Sequence, residues 1–581
     1  MVYWDYNYKL SYVLKNNISQ GKDMTKKNII VVGAGFGGVF ATKKLAKKLR
    51  AKKDYNIILI DKHSYMTYMT ELHEVAAQRV MPGHVQEDLE HLFAHDTNVE
   101  LVTAEVESID KDNKTITTTR GTLPYEKLII SVGGQSNDFG TPGVKEFGFE
   151  LWSMEESLRI RQQIENIVAQ GAAESDPKRR EQLLTIAVVG SGFTGAELMG
   201  EFIDQRKVLA QTYKLDESEI KLVLLEAGDA ILRMLSDRRL ADKAYQYMVN
   251  NGVDLRMNSK VTGVDENGVI FDDGSTLPTK SLIWTAGVKA KSAVADWGFK
   301  TGRGGRIEVD DYMHAINDDE QVNKDIYAAG DTISYVDEKT GPVPQTVEGA
   351  ENAAKTASNN ILNDLGLVAD AKTFADLVKY HGYAVSIGSH YTVASLMKNW
   401  NFSGFFASLA KHGINLYFYS QIRSGYSIFH YMLDEFFRTA NGRNPFRGTI
   451  SRQGNVLWAT PLRIFLGVFW ILAAVESLGH LGNFYWQGGL ASFLEIIAGA
   501  GLLIGLFTWS AGILSILLAL AAWIFNGFDI SQLFIIFGSL AVMNGSGRGF
   551  GVDFFAVPLL QKIFGKAWYG QSKSQYDDLD K

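Results

Sequence analysis

Apolar residues are distributed along this chain in two different ways. From about residue 24 to residue 455 they come in short runs separated by charged and polar stretches. Residues 28–32 (NIIVV), 56–60, 185–189 and 221–225 read as short buried strands, and residues 39–49 carry a helical repeat. Strands alternating with helices predict an α/β architecture. From residue 464 to residue 547 there is no Lys or Arg, and the only acids are Glu476, Glu495 and Asp529. Four apolar stretches lie there, at 461–478, 490–507, 510–525 and 530–543. A membrane-spanning helix needs about 20 apolar residues. The first three stretches approach that length and the fourth is short.

Charge placement gives these stretches an orientation. Arg438, Arg443, Arg447, Arg452 and Arg463 precede the block, and Arg548, Lys562 and Lys566 follow it. The loops inside it carry no positive charge, so both flanks are expected in the cytoplasm and the number of spans is even. The expectation is four. The competing reading is a buried helical domain of a soluble protein, which would have to keep a long segment without basic side chains in water. Residues 1–23 have no continuous apolar segment of the signal-peptide kind. They are expected to be disordered or a mis-assigned start, with Met24 as the alternative initiator.

Composition narrows the chemistry. The chain has 581 residues, enough for several units, and a net charge of −7, which gives no sign of a nucleic-acid partner. Hydrophobic residues make up 46%, which excludes a mainly disordered chain. There is no cysteine. That excludes disulfides, cysteine-ligated iron–sulfur or zinc sites, a cysteine nucleophile and a dithiol relay. No metal site is expected.

Two glycine motifs carry the candidate function. The first strand runs into Gly33-Ala-Gly35-Phe-Gly-Gly38, then a helix, then a second strand ending in Asp61. In a dinucleotide-binding turn, Gly33 permits the tight bend, Gly35 lets the backbone approach a pyrophosphate, and Gly38 lets helix pack on strand. The helix N-terminus faces the phosphates, and Asp61 is suited to a ribose diol. The arrangement recurs at Gly190-Ser-Gly192-Phe-Thr-Gly195, with the next strand ending in Glu226. One such motif is weak evidence. Two copies, each in the order strand, helix, strand and acid, predict two dinucleotides, one a resident flavin and the other a diffusible nicotinamide. Glu226 favours a free 2′-hydroxyl, and Ala227-Gly228-Asp229 supplies no arginine for a 2′-phosphate. NADH is therefore expected over NADPH. Residues 325–330 (DIYAAG) read as a strand and a turn before Asp331, which can contact a flavin.

With these motifs the chain resembles the two-dinucleotide flavoprotein superfamily and, within it, the type II NADH dehydrogenases (NADH:quinone oxidoreductases). The segments that carry the resemblance are VVGAGFGG (31–38), YMTELHEVA (68–76), LIISVGGQSNDFGTPGV (128–144), VVGSGFTGAELMGE (188–201), LLEAGDAILRML (224–235), LIWTAGVKA (282–290), DIYAAGD (325–331) and HGYAVSIGSHYTVASL (381–396). The resemblance implies two Rossmann-like domains, the NADH domain inserted in the FAD domain. It implies FAD on Gly33, Gly35, Phe36, Gly37, Gly38, Asp61, Lys62, Val106, Val132, Gly133 and Asp331. It implies NADH on Gly190, Gly192, Thr194, Gly195, Glu226, Thr285 and Gly287. Glu197 matches the family's glutamate near the nicotinamide–flavin junction, the candidate catalytic residue. The other reading is an acid in the first turn of a helix, complementing its dipole. The family's quinone-side helix starts with polar amides, and here Glu348 and Asn352 stand at those positions. A carboxylate there could bring a proton closer to a reduced quinone or mark a different acceptor.

Residues 403–439 hold ten aromatics punctuated by Lys411, Arg423 and Arg438. That suits an amphipathic region at a bilayer interface, with cations towards lipid phosphates. The alternative is a buried helix pair covering the flavin domain. Both ends of the apolar block resemble the DoxX-like membrane domain. Glu476 and His480 are expected on one helix face, either as an interfacial pair or as a functional site.

The expected organisation is 1–23 start; 24–148 and 309–380 FAD domain; 149–308 NADH domain; 381–455 membrane-associating region; 456–547 transmembrane domain; 548–581 cytoplasmic tail. The expected activity is non-proton-pumping NADH:quinone oxidoreduction at the cell membrane, flavoprotein part in the cytoplasm, with a menaquinone-type acceptor. A homodimer is an expectation of the resemblance alone. The alternatives are an NAD(P)H flavoenzyme with another acceptor (oxygen, free flavin or an extracellular electron-transfer carrier) and a membrane-tethered dinucleotide sensor.

Overall fold

The computed structural model describes residues 26–397, 400–446, 459–479, 486–527 and 529–560. The expected start at 1–23, His480 and the end of the tail lie outside the described residues. The chain divides into two compact units, residues 1–451 and 452–581.

In the first unit, the elements that position the site are, in chain order, β1 (Lys27–Val32), α1 (Phe36–Leu49), β2 (Tyr55–Asp61), α2 (Leu72–Ala76), β3 (Val99–Thr103), β4 (Lys127–Ile130), β5 (Gly148–Glu150), β6 (Thr185–Val189), α3 (Phe193–Tyr213), β7 (Lys221–Leu225), β8 (Val253–Arg256), β9 (Ser281–Trp284), β10 (His314–Ile316), β11 (Val322–Ala328), α4 (Val347–Asp364), β12 (Gly382–Ser386), β13 (Thr392–Leu396), β14 (Trp400–Ser403), α5 (Phe405–Gln421) and α6 (Gly425–Met432).

One six-stranded sheet has the order β10-β11-β4-β1-β2-β3, and a five-stranded sheet has the order β5-β9-β6-β7-β8. The second sheet is inserted in sequence between β4 and β10 of the first. β1 pairs in parallel with both β2 and β4, and β6 with both β7 and β9. Central parallel strands are covered on both faces, so they read as continuous apolar runs rather than alternating ones. Accordingly Ile29, Ile30 and Val31 are fully buried, as are Ala187 and Val188. The residues between α3 and β7 that lengthen the second motif are the last turns of α3 and a short 3₁₀ turn, Glu217–Glu219.

Strands β12–β14 form an antiparallel meander. The aromatic segment that follows has two faces. Phe418, Tyr419, Tyr431 and Phe436 are buried, with Phe418 edge-on to Phe36 and Tyr419 stacked on Tyr68. Phe405, Phe406, Tyr417, Phe429 and Phe437 are exposed. One of the segment's cations, Lys411, is not free for lipid phosphates, which corrects the sequence expectation for that residue; Arg423 and Arg438 stay partly exposed. Lys411 is buried against Glu74, Arg423 reaches Asp96, and Arg438 pairs with Asp434. Carboxylates from distant parts of the chain pair with Lys411 and Arg423, and a local reading cannot see them.

The second unit is helical: α7 (Ala459–Gly479), α8 (Trp486–Ile504), α9 (Thr508–Asn526) and α10 (Ile530–Val542). Leu466, Trp470, Ala498, Leu502, Ala511 and Val542 form its small core. Helices approach closely at glycines: a Cβ on Gly467 would stand 2.6 Å from the Leu503 nitrogen. Phe465, Leu472, Phe493, Ile524, Phe534 and Phe537 point outward and are exposed. Two helices, Ala459–Leu478 and Thr508–Phe525, are long and apolar enough to cross a bilayer, and Gly489–Ile504 and Ile530–Val542 are shorter.

Candidate active site

The two glycine turns have nearly superimposable local geometry. Gly33 and Gly190 have φ of +98° and +97°, a region that L side chains rarely adopt. A Cβ on Gly38 would fall 1.8 Å from the Gly33 carbonyl oxygen, and one on Gly195 would fall 1.9 Å from that of Gly190. Helix packs on strand so closely at these two positions that only glycine fits. At Gly35 and Gly192 a Cβ would meet no protein atom within 4 Å. The middle glycines therefore face open space, as a cradle for a ligand requires.

Each turn is braced by the acid at the end of the neighbouring strand. Asp61 accepts hydrogen bonds from the Ala34 N–H (2.6 Å) and the His63 N–H (2.8 Å). Glu226 accepts from the Ser191 N–H (3.0 Å), the Ser191 hydroxyl (2.6 Å) and the Gly228 N–H (2.8 Å). A carboxylate has about four acceptor positions, so both acids keep capacity for a ribose hydroxyl. Thr285 donates to the Val189 and Gly190 carbonyls and so holds the second turn in place. Gly287 has φ of +78°, and a Cβ there would run into the Phe139 ring at 2.4 Å.

A cavity of about 1170 Å³ opens from the first turn. Gly33, Gly35, Phe36, Gly37, Asp61, Lys62, Val106, Val132, Gly133 and Asp331 line it. Gly38 lies behind it as packing. Asp331 sits in the turn after β11, where burial raises its carboxyl to about 6 against the pull of Arg306. The adjacent Thr332 hydroxyl accepts the Gly133 N–H at 2.9 Å, which ties the late segment to the early one. An opening of this volume with a backbone cradle, a diol acceptor and a second acid fits a flavin dinucleotide.

The second motif contributes the facing wall. Phe193, Thr194 and Glu197, from the start of α3, line the same cavity. Gly190, Gly192, Gly195, Glu226, Thr285 and Gly287 do not line it and form a separate cradle behind that wall. Glu197 is not among the acids of a first helical turn. It is half-buried, accepts hydrogen bonds from the Ser386 N–H (3.2 Å) and hydroxyl (3.3 Å), and is pushed up to about 8 by desolvation, which Lys411 opposes. Such a carboxyl holds a proton near neutral pH.

Glu348 and Asn352 part company. Glu348 lines the cavity. Asn352 is buried outside its lining, donating to the Lys379 carbonyl (2.9 Å) and accepting the Lys379 N–H (3.2 Å). The structure does not bring its amide to the cavity, because the backbone before β12 engages both ends of it.

Two features lay outside the reach of sequence reasoning. One is Arg233. Five residues past Gly228, it folds back so that a Cβ on Gly228 would stand 2.9 Å from Arg233 Nη1 and 3.2 Å from Glu226 Oε1. Ala227-Gly228-Asp229 supplies no arginine, but the fold brings Arg233 beside that turn. The other is a buried ion network under the cavity. Arg79 donates to Glu74 (3.0 Å), Glu201 (3.0 Å) and Glu435 (2.6 Å), and Lys411 reaches Glu74 at 2.5 Å and Glu71 at 3.4 Å. His84 contacts Glu71, Asp434 and Glu435; burial works against its charge, but these partners hold it well above the usual histidine range. Glu71, Glu74, His84 and Glu435 have donor atoms close enough to share a metal ion. Arg79 and Lys411 already supply the countercharge, so the set works as an ion-pair network that pins α2 to α5 and the segment after α6. The segment 68–76 marked this region as part of the resemblance, but no local pattern identified its partners more than 300 residues away.

Comparison with known proteins agrees with this geometry. The family model for pyridine nucleotide-disulphide oxidoreductases matches residues 27–357. Type II NADH:quinone oxidoreductase of Staphylococcus epidermidis is 30% identical over 346 residues, covering 58% of this chain and 82% of the relative. The same-named protein of Staphylococcus saprophyticus is 28% identical over 370 residues, covering 63% and 88%. Among solved structures, NDH2 of Plasmodium falciparum in complex with NADH has a TM-score of 0.61 at 20% identity, covering 70% of this chain and 97% of that one. The sulfide:quinone oxidoreductase of Aquifex aeolicus has a TM-score of 0.55 at 19% identity, covering 69% and 92%. The family's disulphide chemistry is closed to a chain without cysteine. This chain belongs to the pyridine nucleotide-disulphide oxidoreductase family, and the curated relatives named above are type II NADH:quinone oxidoreductases.

Proposed function

We propose that the protein is a membrane-bound, FAD-containing NADH:quinone oxidoreductase that does not pump protons. The observation that carries this reading is the convergence of two dinucleotide cradles, the helix behind the second forming a wall of the cavity that opens from the first. The Gly33 turn and α1 N-terminus hold the FAD pyrophosphate, Asp61 the ribose and Asp331 the ribityl–phosphate part. The Gly190 turn and Glu226 hold NADH. Bound FAD supplies the redox chemistry, accepting hydride from the nicotinamide and passing two electrons to the acceptor. The chain's own work is orientation, exclusion of water and control of protons. Glu197, protonated near neutral pH, stands at the wall between the two cradles without adding a full negative charge there.

The membrane assignment rests on the second unit, whose outward side chains are apolar and which lacks basic residues from 464 to 547. Four spans put both flanks, and with them the flavoprotein part, on the cytoplasmic side. The exposed aromatics of the segment after β14 add an interfacial surface. A menaquinone-type acceptor and a homodimer complete the reading. The test is anaerobic titration of the purified, detergent-solubilised protein with NADH, then with a naphthoquinone. A yellow protein that NADH bleaches stoichiometrically and the quinone restores supports the reading. Bleaching reversed by oxygen and not by quinone would transfer the assignment to another acceptor. A protein that stays colourless with added FAD would defeat it.

A further inference from the structure

Reduction of a quinone to a quinol takes up two electrons and two protons. A hydride from NADH brings both electrons and one proton. The second proton must come from solvent, through a group that both borders the cavity and exchanges with water. Glu197 borders the cavity but is half-buried and held by the Ser386 N–H and hydroxyl. Another part of the cavity lining is built differently. There Glu348, in the first turn of α4, faces His381, the residue before β12.

Glu348 Oε1 lies 2.7 Å from His381 Nδ1, and the same carboxylate accepts the His381 backbone N–H at 3.0–3.1 Å. The His381 carbonyl accepts the Met397 N–H at 2.8 Å. The next residue, Gly382, has φ of +125°, and a Cβ there would stand 1.9 Å from the Ser395 carbonyl oxygen. The histidine is therefore fixed by its own main chain on both sides. Its side chain is 54% exposed and that of Glu348 25%, and both residues line the cavity. A carboxylate on Nδ1 fixes the tautomer and leaves Nε2 to accept and release a proton. The groups facing the pair are Glu351 on the same helix, Tyr380 and Tyr383 on the neighbouring strand segment, and Tyr417 of α5, edge-on to the imidazole at 6.1 Å. None of these is a cation that would compete for the carboxylate.

We propose that the Glu348–His381 pair relays the solvent-derived proton to an oxygen of the quinone during its reduction. The inference rests on the acceptor being reduced in this cavity. In the step, the His381 Nε2–H bond breaks and an O–H bond forms on the acceptor, which has received its electrons from NADH by way of the flavin. Nδ1–H stays on Glu348, and water returns a proton to Nε2. The sum is NADH, one proton and quinone giving NAD⁺ and quinol. Glu348 is a positioning residue, and His381 is the group that touches the acceptor.

The test compares two acceptors on the full-length protein in detergent, using Glu348→Gln and His381→Ala. Ferricyanide takes electrons without protons, whereas a soluble naphthoquinone needs both. Flavin absorbance establishes that each variant is folded and loaded, and Glu348→Gln, nearly isosteric, covers the case in which His381→Ala is lost. A general acid of this kind is worth about 10²-fold. The naphthoquinone rate is expected to fall at least about ten-fold more than the ferricyanide rate in either variant. The pH profile for naphthoquinone should change in both variants while that for ferricyanide does not, and added imidazole should restore turnover to His381→Ala. Equal losses with both acceptors, or an unchanged pH profile, would overturn the relay while leaving the quinone assignment intact. A wild-type protein that reduces ferricyanide and not naphthoquinone would overturn the assignment itself, and the relay with it.

Discussion

The two glycine turns are almost the same object placed in different surroundings. Gly33 and Gly190 share their backbone angle, Gly38 and Gly195 the same collision distance, and Gly35 and Gly192 the same open space. What differs is what lies beyond. The first turn opens into a large cavity that the Asp331 turn also borders, which enters some 300 residues later in the chain. The second has its own acid and a folded-back arginine. A motif can make a place for a pyrophosphate, but the rest of the fold decides whether the ligand stays. By that logic the first cradle is expected to keep a resident cofactor and the second to exchange its ligand.

The largest test of the contrast substitutes the two packing glycines. Gly38→Ala and Gly195→Ala each force a Cβ onto a backbone carbonyl. Gly38→Ala is expected to purify without flavin colour. Gly195→Ala is expected to stay yellow and to lose bleaching by NADH. Visible absorbance before and after anaerobic NADH addition reads both, and the same phenotype for the two would erase the distinction between the cradles.

A smaller effect is expected at Glu226. Glu226→Ser removes the acid that repels a 2′-phosphate, and Arg233 already stands beside the site to receive one. The ratio of kcat/KM for NADPH to that for NADH should rise roughly ten-fold, about 1.4 kcal/mol. An unchanged ratio would remove Glu226 from the ribose.

Glu197, on the wall between the cradles, makes a pH-dependent prediction. Its folded-state value of about 8 is above the ordinary 4.5, so the folded protein keeps a proton that the unfolded chain releases. Stability is therefore lost as pH rises from the unfolded value through about 8. Glu197→Gln lacks this loss. Its apparent melting midpoint should gain on the wild type between pH 5 and pH 9, by a few degrees; a gap that does not widen with pH would mean the carboxyl is already ionised.

The smallest effect is expected at Gly35. A Cβ there meets no protein atom, so the flavin-free protein with Gly35→Ala should melt within a degree or two of the wild type, while flavin titration shows weakened binding. A clear loss of stability in the flavin-free form would mean that Gly35 serves packing and not the ligand.

The sequence alone determined the local devices: the two strand–turn–helix units, the acids that close them, the absence of sulfur chemistry, and the change in character after residue 455. These are set within a few dozen residues by side-chain periodicity and by backbone angles that only glycine tolerates. The tertiary structure alone decided which devices share a cavity. It brought Glu348 to His381, set Lys411 beside Glu74, folded Arg233 onto the second turn, and kept Asn352 away from the site. It also turned Lys411, which looks lipid-facing on its helix, into a buried partner of a distant carboxylate. Charges and hydrogen-bonding groups choose partners by distance in space, and in a parallel sheet with an inserted domain that distance is not written in the spacing along the chain.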